Sequence, residues 1–161
     1  AKMRGARVIM LEKDPGRLAK AMELGADVGL NPAEHEDIAA VVRGMCNDGR
    51  GPDAVIEAVG QPATWELAID IVRKGGIVVE YGGCAKGTTI TVDTVRLHYD
   101  EITIKGSYSA TAYETEVAGT LLSRGLIKSE DYVSGVYSLE QTKEALEAHM
   151  NGKGVKFLIK P

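Results

Sequence analysis

Along residues 7–81, short apolar runs alternate with stretches whose apolar positions recur at helical spacing. The first run, Arg7-Val8-Ile9-Met10-Leu11-Glu12, is too brief for a helix and apolar on both faces, which predicts a buried parallel strand. Asp14-Pro15 then offers an N-cap with proline at the first helical position. Leu18, Ala21 and Met22 form the stripe of that helix, and Gly25 is its left-handed stop. A weaker run, Asp27-Val28-Gly29-Leu30, leads to a helix carrying Ile38, Val41, Val42 and Met45, and residues 47–52 read as a loop. The third run, 53–59, ends at Gly60. A helix from about 62 to 73 follows, with Leu67, Ala68, Ile71 and Val72 inward. Gly75-Gly76 stop it before the strand 77–81, which Gly82-Gly83 close. Strands alternating with helices across short loops require right-handed crossovers and a parallel sheet covered on both faces. The predicted fold class is α/β, a doubly wound parallel sheet.

Beyond Gly83 the rhythm changes. Residues 88–92 read as extended, 94–99 as one helical turn, and 101–107 as a strand whose polar and apolar residues alternate, as in a less covered strand. A helix at 113–124 with Val117 and Leu121 inward and Gly125 as its cap, a strand at 133–137, a helix at 139–151 and a strand at 155–159 complete the pattern.

Composition narrows the classes of partner. The length of 161 residues suits one domain, and 44% hydrophobic with 26% charged residues is an ordinary globular balance. A net charge of −4 argues against nucleic acid and anionic membrane as partners, and no apolar run could span a bilayer. Nineteen glycines against 5% aromatic residues suggest many tight turns beside a sheet. Ala1-Lys2-Met3-Arg4-Gly5 reads as neither a signal peptide nor a start of translation. Cys46 and Cys84 lie far apart with no CxxC spacing and no nearby histidine, so neither a disulfide framework nor a zinc cluster is expected. The default location is a reducing cytoplasm. His35, His98 and His149 read as surface or packing residues, and Trp65 and Phe157 as core. No Gly-x-Ser-x-Gly, HExxH or paired-carboxylate arrangement occurs, so no catalytic residue and no metal ligand is assigned.

In doubly wound folds the ligand lies outside the carboxyl ends of the strands. Those ends are Glu12-Lys13-Asp14, Asn31, Ala58-Val59-Gly60-Gln61, Tyr81-Gly82-Gly83 and Ser107-Tyr108-Ser109. An acid at the tip of an apolar strand, Glu12, can accept both hydroxyls of an adenosine ribose in bonds of roughly 1.5–3 kcal/mol each. It would oppose a 2′-phosphate by about 3 kcal/mol per charge pair, favouring NAD over NADP. Lys13 and Arg17 leave room for NADP, because both could reach a phosphate there. On residue type alone, Glu12 reads equally as a solvated acid paired with Lys13 or Arg17. Gly60, Gly82 and Gly83 would let backbone approach a flat cofactor; each alone reads first as a turn residue, and it is three such sites at successive strand tips that point to a cofactor.

The stretches 7–12 through Leu24-Gly25-Ala26-Asp27, Asp53-Ala54-Val55-Ile56-Glu57-Ala58-Val59-Gly60 and Arg73-Lys74-Gly75-Gly76-Ile77-Val78-Val79 occur in an order that resembles one family. So do 101–107 and the ending Gly154-Val155-Lys156-Phe157-Leu158-Ile159. That family is the medium-chain dehydrogenases/reductases, particularly their zinc-dependent alcohol and polyol dehydrogenases, in their carboxyl-terminal half. The resemblance implies an incomplete Rossmann domain over 1–161, with 133–161 packing toward a catalytic domain. It implies NAD as cofactor, with Glu12 on the ribose and Ala58, Val59 and Gly60 lining the dinucleotide. Tyr81, Gly82 and Gly83 would line the nicotinamide, Ser107, Tyr108 and Ser109 hold its carboxamide, and Lys156 reach the pyrophosphate.

The departures matter as much. The family's first strand and Gly-x-Gly-x-x-Gly turn have no counterpart here, nor do its zinc ligands and proton relay, which would lie on an absent N-terminal domain. The chain therefore reads as a fragment that would not turn over alone. The missing strand would sit between the 7–12 and 53–59 strands, whose unpaired backbone another segment is expected to satisfy. A small alcohol is the implied substrate, and a homodimer or higher oligomer through edge strand 101–106 the implied assembly. The alternatives are a zinc-free quinone or enoyl reductase of the same family and a non-catalytic adenosine-nucleotide or S-adenosylmethionine binder.

Overall fold

The computed structural model describes residues 1–161, and these divide into two compact units, 1–31 with 110–161, and 32–109. The strands are parallel throughout and form three sheets.

In the first unit, β1 (Ile9–Leu11) pairs with β2 (Val28–Leu30), and α1 (Pro15–Glu23) is their crossover. The capping expected at Asp14 forms: its Oδ1 accepts the Arg17 amide at 2.7 Å, with Pro15 in the first turn. Gly25 follows with φ +100°, which an L side chain would resist. Asp14→Ala should cost about 1 kcal/mol and lower the melting temperature by roughly 3 °C in a thermal scan. The same unit holds α5 (Ala112–Ser123), β6 (Val133–Ser138), α6 (Thr142–Met150) and β7 (Lys156–Lys160). β6 pairs with β7, with a register shift between Val133 and Gly135. A Cβ at Gly135 would stand 3.0 Å from the Tyr137 ring, which packs edge-on to Phe157.

In the second unit, β3 (Ala54–Glu57), β4 (Ile77–Glu80) and β5 (Thr103–Gly106) form one sheet in the order β3-β4-β5. Three helices accompany it: α2 (Ile38–Gly44), α3 (Pro62–Ile71) and α4 (Thr94–Tyr99). Ala68, Ile69, Val72, Val78 and Ile102 make the core, with Val55, Ile90, Val92, Leu97 and Ile104 packed against it. The carboxyl end of α3 is closed by Arg96, whose guanidinium donates to the carbonyls of Ile69, Asp70 and Val72. A cation there satisfies orphan carbonyls and suits the helix dipole.

Several expectations need correction. α3 ends at Ile71, because Val72 turns extended (ψ 143°) and enters the core at 1% exposed. β5 begins only at Thr103, since Glu101 takes a left-handed φ of 52° that a strand cannot hold. α6 starts at Thr142, because the Gln141 side chain accepts from Ser138 N and folds 139–141 into a turn. Residues 88–92 join no ladder, although Ile90 and Val92 pack on the core. Nothing in α5 is buried, and Val117 is exposed. Trp65 and Phe157 are only half-buried. The run at 7–12 yields a three-residue strand with no buried residue, and Met10 is exposed. Burial on both faces needs a layer on each. β1 hydrogen-bonds to β2 alone and β3 to β4 alone.

Candidate functional site

Residues Glu57, Glu80 and Gly106 are in register across β3, β4 and β5, so the three strands end level. The segments 58–60, 81–83 and 107–109 therefore gather at one sheet edge, as a doubly wound fold requires of a ligand site.

Backbone contact holds the first two segments together. A Cβ at Gly82 would lie 2.4 Å from Gly60 N, and one at Gly60 would lie 2.5 Å from Gly83 O, with φ +81° already excluding most residues. Both Tyr81 N and Gly82 N donate to Glu57 O at 2.9 Å. The Glu57 carboxylate accepts from Val59 N at 2.8 Å, Gly60 N at 3.0 Å and Thr64 Oγ1 at 2.8 Å. Trp65 Nε1 donates to Gly82 O at 3.0 Å, so the ring expected in the core instead braces the glycine turn.

Over this backbone the side chains are open: Val59 is 63% exposed, Tyr81 64% and Tyr108 99%, with Ser107 and Ser109 exposed beside them. Ser109 holds φ 61°. Level strand ends, glycines that keep side chains away, and exposed apolar and hydroxyl groups make a shallow platform on which a flat ring can lie.

In the other unit, Glu12 follows the end of β1. Its Oε1 accepts Asp14 N at 2.8 Å and Arg17 Nη2 at 2.9 Å, and its Oε2 accepts Arg17 Nε at 2.9 Å. The Arg17 guanidinium holds the Glu12 carboxyl below its usual range, and Glu12 raises Arg17 in return. The pairing anticipated as the alternative reading is thus present, and it leaves Oε2 with one donor and room for a hydroxyl. Lys13 is exposed next to it. Lys156 opens β7, exposed, on a different ladder from β1.

Two groups at the ends of β3 and β4 carry no motif in the sequence. Glu57 organises the 58–60 turn, and Glu80 ends β4 buried with no hydrogen-bond partner on either carboxylate oxygen. Burial first, and the Glu57 charge second, push Glu80 up to about 7. An acid closing an otherwise apolar strand on the same face as Val55 or Val78 was the available signal.

Taken separately, the close-approach glycines of the 32–109 unit suit a flat cofactor ring, and the Glu12 carboxylate of the other unit has an oxygen with capacity for a sugar hydroxyl. Zinc does not fit, since no three His, Cys, Asp or Glu side chains gather anywhere in the chain, and no step is derived through it.

Comparison with known proteins adds family and extent. The zinc-binding dehydrogenase family description matches residues 1–124. The D-arabitol-phosphate dehydrogenase of Enterococcus avium is 35% identical over 161 residues, which is 99% of this chain and 45% of that protein. The sorbitol dehydrogenase of Halalkalibacterium halodurans is 31% identical over 163 residues, 100% of this chain and 47% of that protein. Among solved structures, alcohol dehydrogenase TADH from Thermus sp. ATN1 is similar with a TM-score of 0.86 at 29% identity, covering 97% of this chain and 44% of that one. The 2R,3R-butanediol dehydrogenase of Bacillus subtilis is similar with a TM-score of 0.83 at 26% identity, covering 96% and 44%. The chain spans about half the length of the curated relatives it matches.

Proposed function

Because this chain belongs to the zinc-binding dehydrogenase family, we propose that it is the cofactor-binding part of an NAD-dependent alcohol or polyol dehydrogenase. The observation that carries the reading is the Glu12 carboxylate at the end of β1, with Oε2 accepting from Arg17 Nε alone. A ribose diol can share that oxygen, whereas a 2′-phosphate would meet a negative charge. Bound NAD would supply the hydride acceptor. The chain's own residues bind and orient it. Ala58, Val59 and Gly60 would flank the dinucleotide, Tyr81, Gly82 and Gly83 would face the nicotinamide, and Ser107, Tyr108 and Ser109 would offer groups to its carboxamide. Lys156 would meet the pyrophosphate. A polyol-type substrate is favoured because the two relatives quoted above are named as D-arabitol-phosphate and sorbitol dehydrogenases.

The free edge of β5, which pairs only with β4, supports a homodimer through residues 101–106. The exposed Val136, Leu146 and Leu158 support packing of 133–161 toward a catalytic domain, which would also have to bring any zinc ligands. The free thiol of Cys84 suits a reducing cytoplasm.

A second reading, a zinc-free quinone or enoyl reductase using NADPH, draws support from Arg17, whose guanidinium stands ready for a phosphate once Glu12 releases it. Calorimetric titration of the whole protein with NADH and NADPH separates the two. The first reading expects tighter NADH binding, and Glu12→Ala, which frees Arg17 and removes the charge beside Lys13, should move the preference toward NADPH by at least about tenfold. Tighter NADPH binding by the wild type would establish the second.

A further inference from the structure

Glu57 and Glu80 face one another in register at the ends of neighbouring strands. Strand alternation puts Glu57 on the face of Val55 and Glu80 on the face of Val78, the side that packs against α3. Glu57 is 4% exposed and Glu80 3%. The two differ in what surrounds them. Glu57 receives two amides and a hydroxyl, whereas the Glu80 oxygens are the chain's buried side-chain oxygens without a donor.

Of the elements against Glu80, β3 brings one ionisable group, Glu57, and β5 presents Gly106 in register. From α3 come the Thr64 hydroxyl, already given to Glu57, and the apolar Ala68 and Ile69. No lysine, arginine or histidine acts on Glu80; burial and the Glu57 charge are what raise it. A buried carboxyl that has no donor and no cation, with a second carboxyl beside it, holds its proton more tightly than an ordinary one, and that describes Glu80.

We propose that Glu80 is a positioning residue: as a neutral acid it keeps the Glu57 carboxylate clasped on the Val59–Gly60 turn, and its ionisation loosens that turn. The group would not touch ligand. Its bearing on cofactor affinity rests on the dinucleotide reading of the strand ends; its effect on the turn does not.

The test follows glutamate carboxyl ¹³C shifts in the whole protein, together with amide exchange at Val59 and Gly60 corrected for the intrinsic rate. One glutamate should titrate near pH 7, the value to which its burial pushes it, and that resonance should vanish in Glu80→Gln. Protection of the two amides should fall roughly tenfold between about pH 6 and 8 in the wild type and stay level in Glu80→Gln. Every glutamate titrating in the ordinary carboxylate range would overturn the proposal, as would equal loss of protection in both proteins. The wild-type titration decides the matter even where the variant does not fold. NADH binding over the same pH range separates the two claims. A turn that titrates in a protein that never binds NADH upholds the positioning role and refutes the dinucleotide reading. Tight NADH binding with a turn insensitive to pH does the reverse.

Discussion

Gly82→Ala is expected to abolish dinucleotide binding and to destabilise the protein by roughly 3–5 kcal/mol in chemical denaturation. The added methyl would lie 2.4 Å from Gly60 N, 2.8 Å from Val59 N and 2.7 Å from Glu57 Oε2. Two of those atoms are backbone and the third is a carboxylate fixed by its own donors, so none can swing aside. The 58–60 and 81–83 segments would have to part. That would uncover the buried Glu57 carboxylate and break the Trp65 bond to Gly82 O. Gly83→Ala is the internal control. Its Cβ would meet nothing within 4 Å and its φ is not positive, so stability should stay within about 0.5 kcal/mol of wild type. A Gly82→Ala protein as stable as Gly83→Ala would show that the two segments do not cross closely.

The second large effect is on stability against pH. Glu80 is raised from an ordinary carboxyl value of 4.5 to about 7 in the folded protein, by burial and then by Glu57. The folded state therefore holds a proton that the unfolded chain releases earlier. Stability from this group is full below about pH 4.5, declines as pH rises toward 7, and levels off above it. The shift corresponds to roughly 3 kcal/mol across that window. Glu12 and Asp27 run the opposite way. Arg17 holds the first low and Lys2 the second, so their contributions are lost only as pH falls through the acid range. Denaturant midpoints for wild type and Glu80→Gln, measured between pH 5 and 8, isolate the Glu80 part. The wild type should lose stability over this range while Glu80→Gln loses much less, and parallel curves would contradict the assignment.

Much of this architecture is legible in the residue order alone. Short apolar runs gave the positions of β1, β3 and β4, Asp14-Pro15 gave the start of α1, and strand ends gave the segments that gather beside β3, β4 and β5. These features are local or follow from right-handed crossovers, so residue order carries them. What escaped depends on partners distant in sequence. Trp65 was expected in the core, and only the neighbouring 81–83 turn reveals that its indole holds Gly82. Glu57 and Glu80 looked like the polar ends of two strands. Their register, which no single strand encodes, makes them a buried pair. β5 was started too early because Glu101 adopts a left-handed conformation that alternation cannot signal. Glu12 is legible as a candidate, and its pairing with Arg17, five residues on in the first turn of α1, is legible as the competing interpretation; both describe the same carboxylate.

The most direct test of the account is a crystal structure of the whole protein with NAD bound. It should show the Glu12 carboxylate within hydrogen-bonding distance of the adenosine ribose hydroxyls, with Arg17 drawn to one side, and the nicotinamide against 81–83. A bound nucleotide that leaves Glu12 clasped by Arg17 alone, with no hydroxyl in reach, would contradict it.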